Sequence, residues 1–370
     1  MEPVNNKFYF GKPFGKLLMT DNYIIITLII TFLTLSLINI HCKSTPDSAE
    51  IPEINLFLEP LYIDTDDEES IIFHTPGRLQ VDNYDNIYIL DHLGRRISKF
   101  SPDGNFIKYI GKPGEGPGEF AAPAKFRIND GIIYVLDVML RRISRFSTEG
   151  TFIDSFIYHG PHATSLAIDS KGNIALHQPQ LNRPLIFIYN LEGRLIDSLG
   201  TTTPLGIESN SKPTPLATAA YNSAIIKFNS KDELFALYYE RTVMQRYSSD
   251  GKLNVESEIN GQEIELLHQI RNELIELNER QGGSGSGVMR FSYFSDFDLI
   301  NDDYIAINLG WKQQCLYIMS TDGYIIKKYR FKPTKLFRTN ELNIDGFVLI
   351  NQETFLGIDS ENLVIWKGKL

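Results

Sequence analysis

From residue 54 to the C-terminus, short apolar runs of about five residues alternate with Asp-Gly and Asn-type turns, which is the pattern of strands joined by tight hairpins. The pattern repeats. Asn86-Ile87-Tyr88-Ile89-Leu90-Asp91 matches Ile132-Ile133-Tyr134-Val135-Leu136-Asp137. Arg95-Arg96-Ile97-Ser98-Lys99-Phe100 matches Arg141-Arg142-Ile143-Ser144-Arg145-Phe146, and the turns Asp103-Gly104 and Glu149-Gly150 follow. All these pairs are 46 residues apart, without a gap. Weaker copies start at Lys171, Lys231, Asp302 and Asn351, which makes six in all. Each copy has room for four antiparallel strands, and a four-stranded unit with a period in the forties predicts a propeller blade. Such a unit cannot bury both faces alone, so its neighbours must stack until a ring closes. The prediction is an all-β, six-bladed β-propeller over residues 54–370. Either Ile54-Asn55-Leu56-Phe57-Leu58 or Ile71-Ile72-Phe73 is expected to supply the last blade's missing strand, removing an open edge.

Gly111-Lys112-Pro113-Gly114-Glu115-Gly116-Pro117-Gly118-Glu119-Phe120 closes the first copy, and Ala121-Ala122-Pro123 follows. With Asn86-Ile87-Tyr88 and Arg96-Ile97, this link resembles the NHL-type six-bladed β-propellers, especially the exported bacterial branch. The resemblance covers residues 75–160 well and fades beyond 195. It implies the fold but no particular activity, because propellers host many unrelated sites. A phosphate-binding reading of the glycines would need a helix after the loop, and Phe120 onward does not read as one.

Two segments depart from the strand pattern. Between residues 262 and 281, Ile264, Leu267, Ile270, Leu274 and Leu277 recur at helical spacing. They predict one inserted amphipathic helix (insertion about 261–287), capped by Asn260 and followed by a Gly-Ser stretch. It could pack on the rim, close over a central pocket, or bind a partner. Tyr23 to Ile40 is apolar and is preceded by Lys7, Lys12 and Lys16, which reads as an export signal or a membrane anchor with the remainder outside the cytoplasm. Cys42 directly follows this run. It resembles the lipidated cysteine of bacterial lipoprotein signals, although His41 and Asn39 depart from the usual small residue and leucine. Residues 1–42 are therefore expected to be signal or anchor and 43–53 a linker, with a membrane reached through lipid or span and the propeller in the cell envelope.

The net charge of −10 argues against nucleic-acid partners. Of the two cysteines, Cys315 is expected to be a small buried hydrophobe in a strand. Candidate ligand-binding residues gather in loops on one face: Asp91, His92 and Arg95; Asp137 and Arg141; Tyr239 and Arg241; Trp311 and Lys312. A ring of Arg, Tyr and Trp suits a small anionic or carbohydrate-like ligand. The competing role for the repeat's arginines, Arg96 and Arg142, is to tie the blades to Asp91 and Asp137. His159, His162 and His177 are weak candidates for a divalent metal, since no ligand type recurs in four blades. No cofactor is expected. The expectation is an envelope-tethered extracytoplasmic module that binds a ligand or protein, or acts as a scaffold. A metal-dependent propeller enzyme of lyase or lactonase type is the alternative.

Overall fold

The computed structural model describes residues 51–61, 73, 76–180, 183–204, 214–280, 291–310, 315–334, 342–360 and 364–370. All of them lie in the compact unit Cys42–Leu370.

Strand β1 (Glu53–Leu61) precedes six blades. Blade 1 holds β2–β5 (Pro76–Val81, Ile87–Asp91, Arg96–Phe100, Phe106–Ile110). The short pair β6 (Lys112–Pro113) and β7 (Glu119–Phe120) forms the link. Blade 2 holds β8–β11 (Pro123–Asn129, Ile132–Asp137, Arg142–Ser147, Phe152–Ile157). Blade 3 holds β12–β15 (Ser165–Ile168, Ile174–His177, Ile186–Tyr189, Leu195–Leu199). After helix α1 (Pro215–Tyr221), blade 4 holds β16–β19 (Ala224–Phe228, Leu234–Tyr238, Val243–Tyr247, Leu253–Glu258). Helix α2 (Gln262–Arg280) leads to blade 5, β20–β23 (Phe294–Leu299, Tyr304–Leu309, Cys315–Ser320, Ile325–Pro333). Blade 6 holds β24–β26 (Gly346–Ile350, Thr354–Asp359, Val364–Lys369).

Each blade is antiparallel in sequence order, and its first strand lies next to the first strands of both neighbouring blades. The series β2, β8, β12, β16, β20, β24 returns to β2, so the ring is closed and has six blades. The core shows the same closure. Six apolar clusters each draw on two adjacent blades, and one of them joins Leu79, Ile87 and Ile89 of blade 1 to Leu356, Ile358 and Ile365 of blade 6. Second strands are buried on both faces, as in β3 and β17. Outermost strands such as β11 alternate between half-buried and exposed positions. In blades 1 to 5 the turn between third and fourth strands ends on a glycine at positive φ (Gly104, Gly150, Gly193, Gly251, Gly323), a conformation glycine adopts without steric cost.

Strand β1 supplies the fourth strand of blade 6, antiparallel to β26, with Leu58 opposite Gly368. The expected closure by Ile54–Leu58 is therefore present; Ile71 and Ile72 lie outside the described residues. The sequence pattern did not foresee that β1 also pairs in parallel with β23, with Ile54 opposite Tyr329. Blades 5 and 6 are thus one eight-stranded sheet.

Helix α2 packs Ile264 and Leu267 into the cluster shared by blades 4 and 5, with Ile270 and Leu274 at its margin and Leu277 exposed. The cap differs from expectation: the carbonyl of Gly261, not Asn260, accepts from Glu265 N at 3.0 Å. The 282–287 stretch lies outside the described residues. Helix α1 was not predicted, because seven residues are too few for periodicity to register. Thr214 caps it through its hydroxyl (3.2 Å to Ala217 N), and Pro215 opens it.

Candidate functional site

Strand β2 carries a bulge between Pro76 and Arg78, β8 one between Pro123 and Lys125, and β20 one between Phe294 and Asp296. The position is the same in three blades, and a charged residue follows each time. An extra residue kinks a strand and re-aims the next side chain. Here it turns Arg78, Lys125 and Asp296 toward a shared region between the inner strands, while the following Leu79, Phe126 and Phe297 stay buried in the blades. Two residues after each charge come Gln80, Arg127 and Asp298, a second tier on the same side of their strands.

The tiers are electrostatically linked. Arg78 Nη1 lies 3.6 Å from Asp296 Oδ2, and Lys227 Nζ lies 2.6 Å from Asp298 Oδ1. Asp298 also accepts from Leu349 N at 2.8 Å, which binds blade 6 to the same carboxylate. Lys125 and Arg127 have no hydrogen-bond or ion-pair partner among the described residues, and Arg127 Nε is buried without one. Burial holds the Lys125 ammonium well below the usual lysine range; Arg78 and Arg127 push the same way and Asp296 opposes them. Arg127 is lowered by burial too, against the pull of Asp296 and Asp298. Four cations face two carboxylates here, in a chain whose net charge is −10. Burial also pushes up the Tyr239 phenol, which lies beside Arg78 and Asp296.

Two cavities open onto the tiers. The larger, about 640 Å³, is bordered by Arg78, Tyr239, Asn308, Phe331, Asn343 and Asp345. The smaller, about 270 Å³, is bordered by Gln80, Arg127, Asn129, Lys227 and Asp298. Among the described residues, none of α2 lines either one.

Of the residues nominated from sequence, Tyr239 and His92 come to this site. His92 Nδ1 lies 2.9 Å from the Pro123 carbonyl, so that nitrogen carries the proton. Its ring rests on the blade 1 bulge, where a Cβ on Gly77 would lie 2.8 Å from Nε2. Burial lowers the His92 pKa, the Pro123 carbonyl opposes, and Arg78 and Lys125 lower it further.

The other described nominees are elsewhere. Asp91 and Asp137 are fully buried in the blade walls. Asp137 accepts from the backbone N–H groups of Ala121, Ala122, Met139 and Leu140 at 2.7–3.1 Å. Its oxygens are committed to the link and the turn, which leaves them no lumen-facing role. Arg142 does not tie to Asp137 by its guanidinium; it donates to the carbonyls of Glu115 (2.8 Å) and Glu119 (2.5 Å), so both residues clamp the glycine-rich link. Arg95 and Arg141 are exposed at hairpin turns with φ of 52° and 50°. Arg241 is buried against the rings of Tyr238 (4.4 Å) and Tyr221 (5.7 Å). Trp311, Lys312 and Cys42 lie outside the described residues. His159 and His162 are exposed, whereas His177 is sealed with Nδ1 2.8 Å from Thr164 Oγ1, so the three do not share an environment. Among the described residues, no three His, Cys, Asp or Glu side chains are grouped to hold a metal. Cys315 is buried in β22, its thiol pushed up to about 12 by burial.

Sequence reasoning missed Arg78, Lys125, Arg127, Asp296 and Asp298. A signal was present: Lys125-Phe126-Arg127 and Asp296-Phe297-Asp298 place charges at alternate positions around an apolar residue, in the first strand of a blade.

A family of six-bladed β-propellers matches residues 47–160. No curated protein matches the chain. Among solved structures, an exported protein from Bacteroides fragilis is 12% identical, with TM-score 0.53, covering 88% of this chain and 98% of its own. The structure of U3-55K is 10% identical, with TM-score 0.50, covering 80% and 95%. The virginiamycin B lyase of Staphylococcus aureus is 13% identical, with TM-score 0.47, covering 81% and 96%. At these identities the likeness is one of fold.

Proposed function

We propose that this protein is an envelope-tethered, extracytoplasmic propeller of the exported NHL-like kind, which captures a small anionic ligand between its inner strands. The observation that carries this reading is the pair Lys125 and Arg127, two recessed cations without a hydrogen-bond or ion-pair partner among the described residues. A half-buried charge without a counter-charge of its own opposes folding, and a bound anion would offset that cost. The tethered, exported part of the reading rests on the apolar run Tyr23–Ile40 before Cys42. The Bacteroides fragilis protein of like fold is itself described as exported.

Lys125→Met tests the site. Folding lowers this pKa, so the lysine opposes folding below its ordinary value of 10.5 and ceases to do so above it. Full chain carrying Lys125→Met is expected to be more stable at pH 7 by about 1 kcal/mol or more, the gain vanishing above that value. Calorimetric titration with small carboxylates should show binding to wild type and at least about tenfold weaker binding to the variant. Equal binding by the two proteins would overturn the assignment.

A further inference from the structure

The smaller cavity lies where the first strands of the blades end. Ile168, Phe228 and Leu299 are the last residues of β12, β16 and β20, Ile128 is next to last in β8, and all four border it. Each packs into a cluster between blades yet stays half-buried, so each keeps apolar surface toward the cavity.

The charges around this cavity do not cancel. Asp298 is fully engaged: its Oδ1 accepts from Lys227 Nζ (2.6 Å) and Leu299 N (3.0 Å), and its Oδ2 from Leu349 N (2.8 Å). That carboxylate answers Lys227. Arg127 is then the one lining cation without a counter-charge of its own among the described residues. Its Nε is enclosed without a partner, but the side chain is only half-buried and its terminal nitrogens are not enclosed. A guanidinium in that state offers a carboxylate two parallel N–H donors. Lys125 stands one tier away on the same side of β8, outside the cavity. Its charge and that of Arg127 already act on each other, so an anion at Arg127 is attracted by both.

We infer that the smaller cavity takes a short-chain monocarboxylate, its head on the Arg127 guanidinium and its hydrocarbon tail against Ile128, Ile168, Phe228 and Leu299. The inference rests on the anion-binding reading above and adds the cavity, the single charge and the tail. One uncompensated cation balances one negative charge, whereas a dianion would set its second charge against Asp298. The four apolar side chains favour a tail over a polyol, whose hydroxyls would lose water against them without gaining partners. At about 270 Å³ the cavity lies just below the usual range for small-molecule sites, which keeps the ligand to a few carbons.

The test is calorimetric titration of the full wild-type chain with pentanoate, acetate and 1-pentanol. Pentanoate is expected to bind at least about tenfold more tightly than acetate, which lacks the tail, and than 1-pentanol, which lacks the charge. Arg127→Gln is expected to weaken pentanoate binding at least about tenfold. Acetate binding as tightly as pentanoate would overturn the tail and leave the anion reading standing. Binding lost in Lys125→Met but kept in Arg127→Gln would overturn the placement in this cavity, again leaving that reading intact. 1-Pentanol binding as tightly as pentanoate would overturn the carboxylate head, and no binding of either carboxylate would overturn both readings. The three probes on wild type decide the matter even if neither variant folds.

Discussion

His177 shows how burial sets chemistry at single positions in this ring. It sits at the end of β13 with its Nε2 unpartnered, its ring edge-on to Tyr238 at 6.4 Å, and its pKa pushed down to about 3 by desolvation. The folded protein therefore keeps it neutral, while the unfolded chain takes up a proton near 6.5. Between those values the unfolded state binds more protons, so stability falls as pH drops from 6.5 toward 3, by up to about 1.4 kcal/mol per pH unit. Urea unfolding of wild type and His177→Gln from pH 7.5 to 4.5 checks this. The variant is expected to lose the slope that begins near 6.5, and an unchanged slope would assign it to other groups. The same scale explains what the sequence did and did not disclose. His177 resembled its two exposed neighbours, His159 and His162, because residue type carries no record of burial. Arg95 and Arg141 read as conspicuous cations, yet they stand at exposed turns. Lys125 and Arg127 attracted no notice, although bulges aim that strand's charges inward.

At the scale of elements, α2 was legible from its apolar spacing, but its anchorage was not. Glu263, on its first turn, is 6% exposed and accepts from Tyr317 Oη (2.6 Å), Lys328 Nζ (2.8 Å) and Arg330 Nη2 (2.8 Å). Lys328 and Arg330 also pair with Glu53 of β1, at 2.8 and 3.1 Å. Four charges thus fasten the helix, the outer strand β23 and the first strand of the chain to one another. No sequence pattern could show this, since Glu53 and Glu263 are far apart in the chain and meet only because β1 lies along β23. Removing one member leaves the others underpaired, so Glu263→Gln is expected to cost about 3 kcal/mol in urea unfolding, with early loss of amide-exchange protection in α2. A cost within about 0.5 kcal/mol of zero would mean that the apolar face alone holds the helix. The acid response follows the opposite class of group. Hydrogen bonds from Arg330 and Lys328 hold Glu53 down to about 2, and the same lysine, with Tyr317, outweighs burial to lower Glu263. This clamp is fully formed above the ordinary glutamate value of 4.5 and is lost as pH falls from there toward 2, below the onset set by His177.

For the whole molecule, the repeat foretold six blades and a closing strand, because period and turn chemistry are local properties that the chain states six times. It did not foretell that the closing strand would serve two blades. A fourth strand on blade 6 alone would leave β23 with a free outer edge. Instead β1 lies between β26 and β23, antiparallel to one and parallel to the other, and covers both edges. Leu56 and Leu58 carry the packing consequence: each is at most 1% exposed, in a cluster that includes Phe331 of blade 5 and Phe355 and Trp366 of blade 6. Ring closure and the joint between blades 5 and 6 therefore depend on the same residues. Leu58→Ala opens a cavity there and is expected to cost about 2–5 kcal/mol. Its signature in amide exchange distinguishes a shared strand from a simple latch. A shared strand requires β23 and β26 to lose protection together, while β9 and β10 across the ring keep theirs, since blade 2 contributes nothing to this cluster. Loss confined to β26 would make β1 a member of blade 6 only, with its parallel pairing to β23 of no energetic consequence.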